Sequence, residues 1–129
     1  MSRPLLALAT GFTLLAGPIV LAPQPAQAQI EADWSFARVR AVNLARDTAV
    51  RLNGGLSLYR PASCMFDTSQ GGGSCLIRRD DQGFLFRFPG GAPGWQQLGL
   101  QPNWDTEIQV SPDGRQVVQV VFNQPAGSR

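Results

Sequence analysis

The segment Phe84-Leu85-Phe86-Arg87-Phe88 decides the fold of this chain. Its residue types alternate with a period of two, which is typical of a β-strand, and the alternation places all of its phenylalanine rings on one face. A row of aromatic rings is costly to expose to water, so this face needs an apolar partner. We therefore expect a sheet that another element covers on one side.

The covering element is predicted upstream, between Trp34 and Leu52. Apolar residues recur there at intervals of three and four, which predicts an amphipathic helix. Asp33 is a candidate N-cap, and Asn53-Gly54-Gly55 ends the helix because glycine readily adopts the left-handed conformation. The apolar stripe comprises Val42, Ala45, Ala49 and Leu52. Phe36 and Val39 precede it along the helix. Small alanines complement large phenylalanines in shape, so we expect this stripe to pack on the phenylalanine row.

Further strands are predicted on both sides of the phenylalanine strand. They cover residues 56–60, 75–79, 106–110 and 115–123. Residues 80–83 and 111–114 have typical turn sequences, and the glycine- and proline-rich residues 89–103 form an irregular loop. One helix followed by consecutive strands predicts an α+β fold, in which an N-terminal helix packs on a four- to five-stranded antiparallel sheet.

Residues 1–28 have the layout of a secretory signal peptide. Arg3 precedes an apolar run over residues 5–22, and Ala26-Gln27-Ala28 marks the expected cleavage site. The alternative is a retained membrane anchor, but the run is barely long enough to span a bilayer and Gly17-Pro18 interrupts it. We expect a single small domain over residues 29–129, exported to the periplasm or the extracellular space, with no stable membrane insertion after cleavage.

Cys64 and Cys75 are the only cysteines of the chain. In an exported protein an even pair most simply forms a disulfide bond. Closing the short loop between them stabilises the fold by about 2–3 kcal/mol in the chain-entropy model. The glycine-rich residues 70–74 lie inside this loop, which predicts a flexible connection tied at its base.

The composition excludes several kinds of chemistry. The chain has no histidine, which rules out Ser-His-Asp and Cys-His catalysis. Two cysteines alone cannot complete a zinc site, and without lysine there is no amine for Schiff-base chemistry. The chain carries 11 basic and 9 acidic residues, a formal net charge of +2, and so balanced a charge gives no indication of nucleic-acid binding. We expect no metal and no cofactor.

Two pairs of carboxylates remain as candidate sites. Asp105 and Glu107 lie on one face of a predicted strand and could act as a catalytic pair, but a solvent-facing row opposite the buried Ile108 is the favoured interpretation. Asp80 and Asp81 belong to a turn, where aspartate commonly bonds its own backbone, and a calcium site there would need more oxygen ligands. A carboxylate-based hydrolase is therefore the least favoured hypothesis.

The loop that precedes the final hairpin is rich in large apolar residues. They are Trp95, Leu98, Leu100 and Trp104. These side chains either cover the edge of the sheet, which is the favoured interpretation, or form a surface for another molecule. The second interpretation makes them the candidate binding surface, and Arg78 and Arg79 beside it would suit a carboxylate or sugar ligand.

A sequence pattern spans the helix, its end and the following strand. It consists of Ala41-Val42-Asn43-Leu44-Ala45-Arg46, Leu52-Asn53-Gly54-Gly55-Leu56-Ser57, Tyr59-Arg60 and Met65. In this pattern the chain resembles a group of small exported cyanobacterial proteins of uncharacterised function. That group ends in a hairpin closing on Tyr-Asn-Gly, where this chain has Phe122-Asn123-Gln124, and the cysteine pair is not general in it. The resemblance implies a cyanobacterial exported domain and no particular activity.

Two hypotheses of function follow. The first is a non-enzymatic binding or interaction module for an unidentified protein or small ligand, because catalytic groups are scarce and residues 95–104 are apolar. The alternative is a secreted protease inhibitor, since a helix on an antiparallel sheet is also the layout of cystatin-like inhibitors. The hairpin tip, residues 111–114, beside the tryptophan-bearing loop would then act as a wedge. The Gln-x-Val-x-Gly motif of cystatins is absent, and residues 116–120 only approach it.

Overall fold

The computed structural model describes residues 2, 4, 11, 12, 14–20 and 26–128. Half of the predicted signal peptide, residues 1–28, lies outside the described residues, and its cleavage stays a prediction. The described elements are α1 (Ala26–Leu52), β1 (Arg60–Pro61), β2 (Leu76–Asp80), β3 (Gly83–Gly91), β4 (Trp104–Val110) and β5 (Val117–Pro125). Two short 3-10 helices, Ser63–Phe66 and Gly73–Cys75, lie between β1 and β2.

The strands form one antiparallel sheet of five strands with β3 at its centre. β3 pairs with β4 from Phe84 opposite Val110 to Gly90 opposite Trp104. On its other side, the first part of β3 pairs with β2, and its last two residues pair with β1. β5 pairs with β4 at the opposite edge, where two register shifts mark bulges. The predicted α+β fold is confirmed.

The phenylalanine row packs against α1, as its pattern predicts. Phe84, Phe86 and Phe88 are at most 1% exposed. They share one buried cluster with the small apolar residues of the helix, namely Ala37, Ala41, Val42, Ala45 and Ala49. The small helix residues leave room for the rings, which fill the space between the helix and the sheet.

The helix differs from its prediction at both ends. It begins at Ala26, so Asp33 lies inside the helix and is not its N-cap; residues 26–32 are mostly alanine, glutamine and glutamate, which favour helix. Phe36 and Val39 are exposed because they fall outside the row of alanines that recurs every fourth residue. Leu52, predicted to face the sheet, is 51% exposed, because the following residue, Asn53, makes the contact with the sheet there.

The first predicted strand is mostly a turn. Gly54 and Gly55 both have positive φ, so the chain keeps turning after the helix. The amides of Leu58 and Tyr59 both donate to the carbonyl oxygen of Gly55, at 3.1 and 2.9 Å. Only Arg60–Pro61 joins the sheet, which leaves Leu58 exposed and Tyr59 buried.

Candidate functional site

The disulfide between Cys64 and Cys75 is present, as predicted, and joins the two 3-10 helices with Cα atoms 6.0 Å apart. The glycine-rich residues 70–74, predicted as a flexible connection tied at its base, are exposed at Gln70, Gly73 and Ser74 and buried between them. Gly71 and Gly72 are buried, and the amide of Gly72 donates to the carbonyl oxygen of Asp67 at 3.1 Å. The loop therefore packs against the domain and fixes the position of residues 63–66.

The structure separates the four residues of the predicted binding surface. Trp95 is only 8% exposed, and its indole N–H donates to the carbonyl oxygen of Arg60 at 3.0 Å. Trp104 is partly buried and packs against the same core. Leu98 and Leu100 are 71% and 52% exposed. The tryptophans thus cover the end of the sheet, and a binding role for the two leucines stays a prediction.

Trp95 also lines a surface cavity of about 440 Å³, which we call the Trp95 cavity. One wall is formed by residues 60–66, including Phe66, and the other by residues 93–97. The two walls are joined by a hydrogen bond, in which the amide of Ser63 donates to Oε1 of Gln96 at 2.7 Å. Together with the indole hydrogen bond to Arg60 and the nearby disulfide, this contact holds the two walls in a defined arrangement.

A second cavity of about 480 Å³ adjoins the first, and we call it the Arg51 cavity. It lies between the last turns of α1 and the segment that follows the helix. Its lining comprises Arg46, Asp47, Val50, Arg51, Leu56 and Phe66. Phe66 lines both cavities and is 45% exposed. The guanidinium of Arg46 lies 5.1 Å from the centre of the Phe66 ring. This cation–π contact orients the ring.

The two cavities carry an excess of positive charge. Arg46 pairs with Asp47 at 3.1 Å. Arg51 donates to the hydroxyl oxygen of Thr48 at 3.2 Å, and Arg60 donates to a backbone carbonyl oxygen at 3.0 Å. Within the part of the chain that the structure describes, neither Arg51 nor Arg60 pairs with a carboxylate. Three arginines against one aspartate leave two net positive charges in the combined linings of the two cavities.

The carboxylates Asp105 and Glu107 lie on one face of β4, but the prediction of a solvent-facing row is only partly correct. Glu107 is 7% exposed, and its Oε2 accepts a hydrogen bond from Nε of Arg87 at 2.6 Å. The Arg87 guanidinium also lies 5.8 Å from the centre of the Phe122 ring. These contacts bury Glu107 in an ion pair between neighbouring strands. Asp105 is partly buried opposite Gln124.

The turn aspartates have ordinary local contacts. Oδ1 of Asp80 accepts from the amide of Gln82 at 2.9 Å, and its other oxygen pairs with Arg78 at 2.9 Å. Among the described residues, no cluster of three or more histidine, cysteine, aspartate or glutamate side chains could hold a metal ion.

Arg78 and Arg79 do not lie beside the residues 95–104. They belong to β2, which pairs with the start of β3, whereas Trp104 lies opposite Gly90 near its end. Arg79 instead lies over the ring of Trp34, 4.6 Å from its centre. The sequence could not show this separation because it depends on the register of the central strand.

The hairpin tip, residues 111–114, is held against α1. The carbonyl oxygen of Asp113 accepts hydrogen bonds from Nε and Nη2 of Arg40 at 3.0 and 2.8 Å. Gly114 is buried, and a Cβ atom there would collide with the carbonyl oxygen of Ala37. The register places this tip at the Val110 end of the sheet and Trp95 at the other end. The expectation that the tip lies beside the tryptophan-bearing loop is therefore wrong.

Sequence reasoning did not single out Phe66, Arg51 or Arg60 as site residues. Arg60 belongs to the pattern that carries the family resemblance, as do Arg46 and Leu56, and the fold brings all three beside Phe66. Two signals were available in the sequence. They were the arginines in the last turns of the helix and the phenylalanine inside the loop that the two cysteines close. Neither signal indicates a cavity until the turn after α1 is known.

A comparison of the chain with protein families, curated proteins and solved structures finds no match. The resemblance to exported cyanobacterial proteins stays a prediction. No helix in the described ranges is both long and apolar enough to cross a bilayer.

Proposed function

We propose that this protein is a non-enzymatic binding module of an exported compartment and that the Trp95 cavity is its ligand-binding site. The observation that carries this proposal is a preorganised cavity with aromatic walls. Its volume of about 440 Å³ lies within the range of small-molecule sites, roughly 300–1,000 Å³. A ligand therefore fits with little rearrangement of the protein, which reduces the entropic cost of binding.

The groups that line the Trp95 cavity are suited to binding rather than to catalysis. Phe66 and Trp95 offer aromatic surface, and the side chains of Ser63, Gln96 and Gln97 offer hydroxyl and amide groups. Of the described lining residues, only Arg60 is charged, and arginine stays protonated at all physiological pH values. Hydroxyl and amide groups fix the orientation of a ligand by hydrogen bonding.

The disulfide supports export as the setting of this module, because such bonds persist in oxidising compartments. The alternative, a protease inhibitor, draws no support from the final hairpin. Residues 111–114 are bonded to α1 by Arg40, so they do not project as a free wedge.

The proposal is tested by titrating the protein with phenylacetamide, an uncharged aromatic probe, and following backbone amide signals by NMR. We expect saturable shifts at residues 63–66 and 94–97, with a dissociation constant of about 1 mM for so small a probe. Phe66→Ala should weaken binding, because it removes the exposed ring of the cavity.

Leu98→Ala is the matched control, since Leu98 is an exposed apolar residue outside the lining of the cavity. It should leave the affinity unchanged. Shifts confined to residues 98–100, with Leu98→Ala as the variant that loses binding, would instead assign the site to the two exposed leucines. No saturable shift with any uncharged aromatic probe would refute the proposed site.

A further inference from the structure

Phe66 is the boundary between the Trp95 cavity and the Arg51 cavity. Its ring lines both, so a ligand long enough to occupy both passes over this ring. Arg60 links the same two cavities, because it lines the first and its Nε donates at 3.0 Å to the carbonyl oxygen of Leu56, which lines the second. The two cavities therefore share Phe66 as a wall, and the lining of each carries one net positive charge.

The net positive charge of the two linings favours an anion. The carboxylate of Asp47 is paired with Arg46 at 3.1 Å, and among the described residues no carboxylate pairs with Arg51 or Arg60. Each of these two guanidinium groups donates one hydrogen bond within the protein. A guanidinium has five N–H donors, so further donors remain on both side chains for an incoming ligand.

Arg51 and Arg60 are both exposed, so water screens their charges and a single ion pair with either of them is weak. Guanidinium groups bind carboxylates through paired N–H···O hydrogen bonds, which strengthens such a contact. Val50, Leu56 and Phe66 add apolar surface beside Arg51. An organic carboxylate whose apolar part contacts Phe66 therefore matches both the ring and the arginines.

We propose that the ligand is a small aromatic carboxylate. Its ring occupies the Trp95 cavity against Phe66, and its carboxylate binds Arg60 of that cavity and Arg51 of the neighbouring one. This inference rests on the proposed function, because it assigns a ligand class to the same site.

The test compares phenylacetate with phenylacetamide, which has nearly the same shape and no charge. By NMR titration at low salt, the protein should bind phenylacetate about tenfold more tightly, which corresponds to about 1.4 kcal/mol. Arg51→Gln and Arg60→Gln should each reduce the ratio of the two affinities, phenylacetate over phenylacetamide, several-fold. A native-like amide spectrum of each variant shows that it is folded.

Arg115→Gln is the matched control, since Arg115 is exposed and lies outside both cavities. It removes the same charge and should leave the preference for phenylacetate intact. An equal loss in Arg115→Gln would show that net charge, and not the cavity, attracts the anion, which would overturn the inference.

The remaining outcomes separate this inference from the proposed function. Binding of phenylacetamide with no preference for phenylacetate would refute the carboxylate assignment and leave the binding site in place. Failure of both probes would refute the proposed function itself. Tighter binding of acetyl-Ala-Ala-Phe with a free carboxylate than of phenylacetate would identify peptide C-termini as the ligands and overturn the assignment to a small molecule.

Discussion

Tyr59 shows how a single side chain depends on its tertiary surroundings. It is the only tyrosine of the chain and is 1% exposed. Gly90 lies against its ring, where any Cβ atom would collide with the phenol. Burial raises the pKa of the Tyr59 phenol above its ordinary value, because the charged form loses its hydration. The neutral phenol is therefore the form that the fold accepts.

This burial predicts a stability that falls at alkaline pH. The pKa of Tyr59 is higher in the folded than in the unfolded state, where it is about 10. The contribution to stability is complete below about pH 10 and is lost as the pH rises from there through the folded pKa. Tyr59→Phe should remove this dependence. Tyrosinate absorbance measures the ionisation of Tyr59 directly, since the chain has no second tyrosine.

The absorbance titration should have a higher midpoint in native protein than in denaturant. Equal midpoints in the two conditions would contradict the burial of the phenol. Urea unfolding at several alkaline pH values should show a steeper loss of stability in the unmodified protein than in Tyr59→Phe.

At the scale of the element, α1 owes its close contact with the sheet to its small residues. Ala41, Ala45 and Ala49 are fully buried and recur every four residues, so they form one row along the helix. The phenylalanine row of β3 fills the space that they leave. The sequence predicted the packing of Val42, Ala45 and Ala49 on the phenylalanine row correctly and that of Leu52 wrongly. The correct part follows from the local periodicity of each element.

Ala45→Leu should destabilise the protein by about 1–3 kcal/mol, since three further carbon atoms have no space against the rings. The free energy of unfolding in urea, followed by tryptophan fluorescence, measures the effect. Val39→Leu is the control on the exposed side of the same helix and should change the stability by less than about 0.5 kcal/mol. Equal effects of the two substitutions would show that the alanine row is not tightly packed.

At the scale of the whole molecule, two asparagines join the end of the helix to the last strand. Nδ2 of Asn53 donates to Oδ1 of Asn123 at 3.1 Å, and Nδ2 of Asn123 donates to Oδ1 of Asn53 at 2.9 Å. The hydroxyl of the fully buried Thr106 donates to the same oxygen of Asn123 at 2.8 Å. Asn53 and Asn123, which are 70 positions apart in the chain, are thereby held together next to the core.

Asn123→Ala should destabilise the protein by about 1–3 kcal/mol, because it leaves the buried Thr106 hydroxyl and the Asn53 amide without these partners. Gln119→Ala is the control, since Gln119 is an exposed residue of the same strand. It should have little effect on urea unfolding. Amide hydrogen exchange should also accelerate at the end of α1 in Asn123→Ala, and unchanged exchange there would contradict a link between helix and strand.

The proposed binding site belongs to the scale of the whole molecule for the same reason. The sequence favoured all four apolar residues of the 95–104 loop as cover for the sheet edge, yet only Trp95 and Trp104 are buried or partly buried, and Leu98 and Leu100 are exposed. Phe66 was not singled out, yet the disulfide and the turn after α1 place it between two cavities. Burial of an apolar residue in a loop depends on which strands the loop joins, and sequence spacing does not contain that information.

The sequence by itself determined the α+β class, the packing of the alanine row on the phenylalanine row, and the disulfide. These features follow from local periodicity or from the presence of a single cysteine pair. Only the tertiary structure decided where Tyr59, Trp95 and the hairpin tip lie. It also brought Arg51 and Arg60 beside Phe66, because their proximity depends on strand register and on the packing of the cysteine loop, which are set by contacts between residues far apart in the chain.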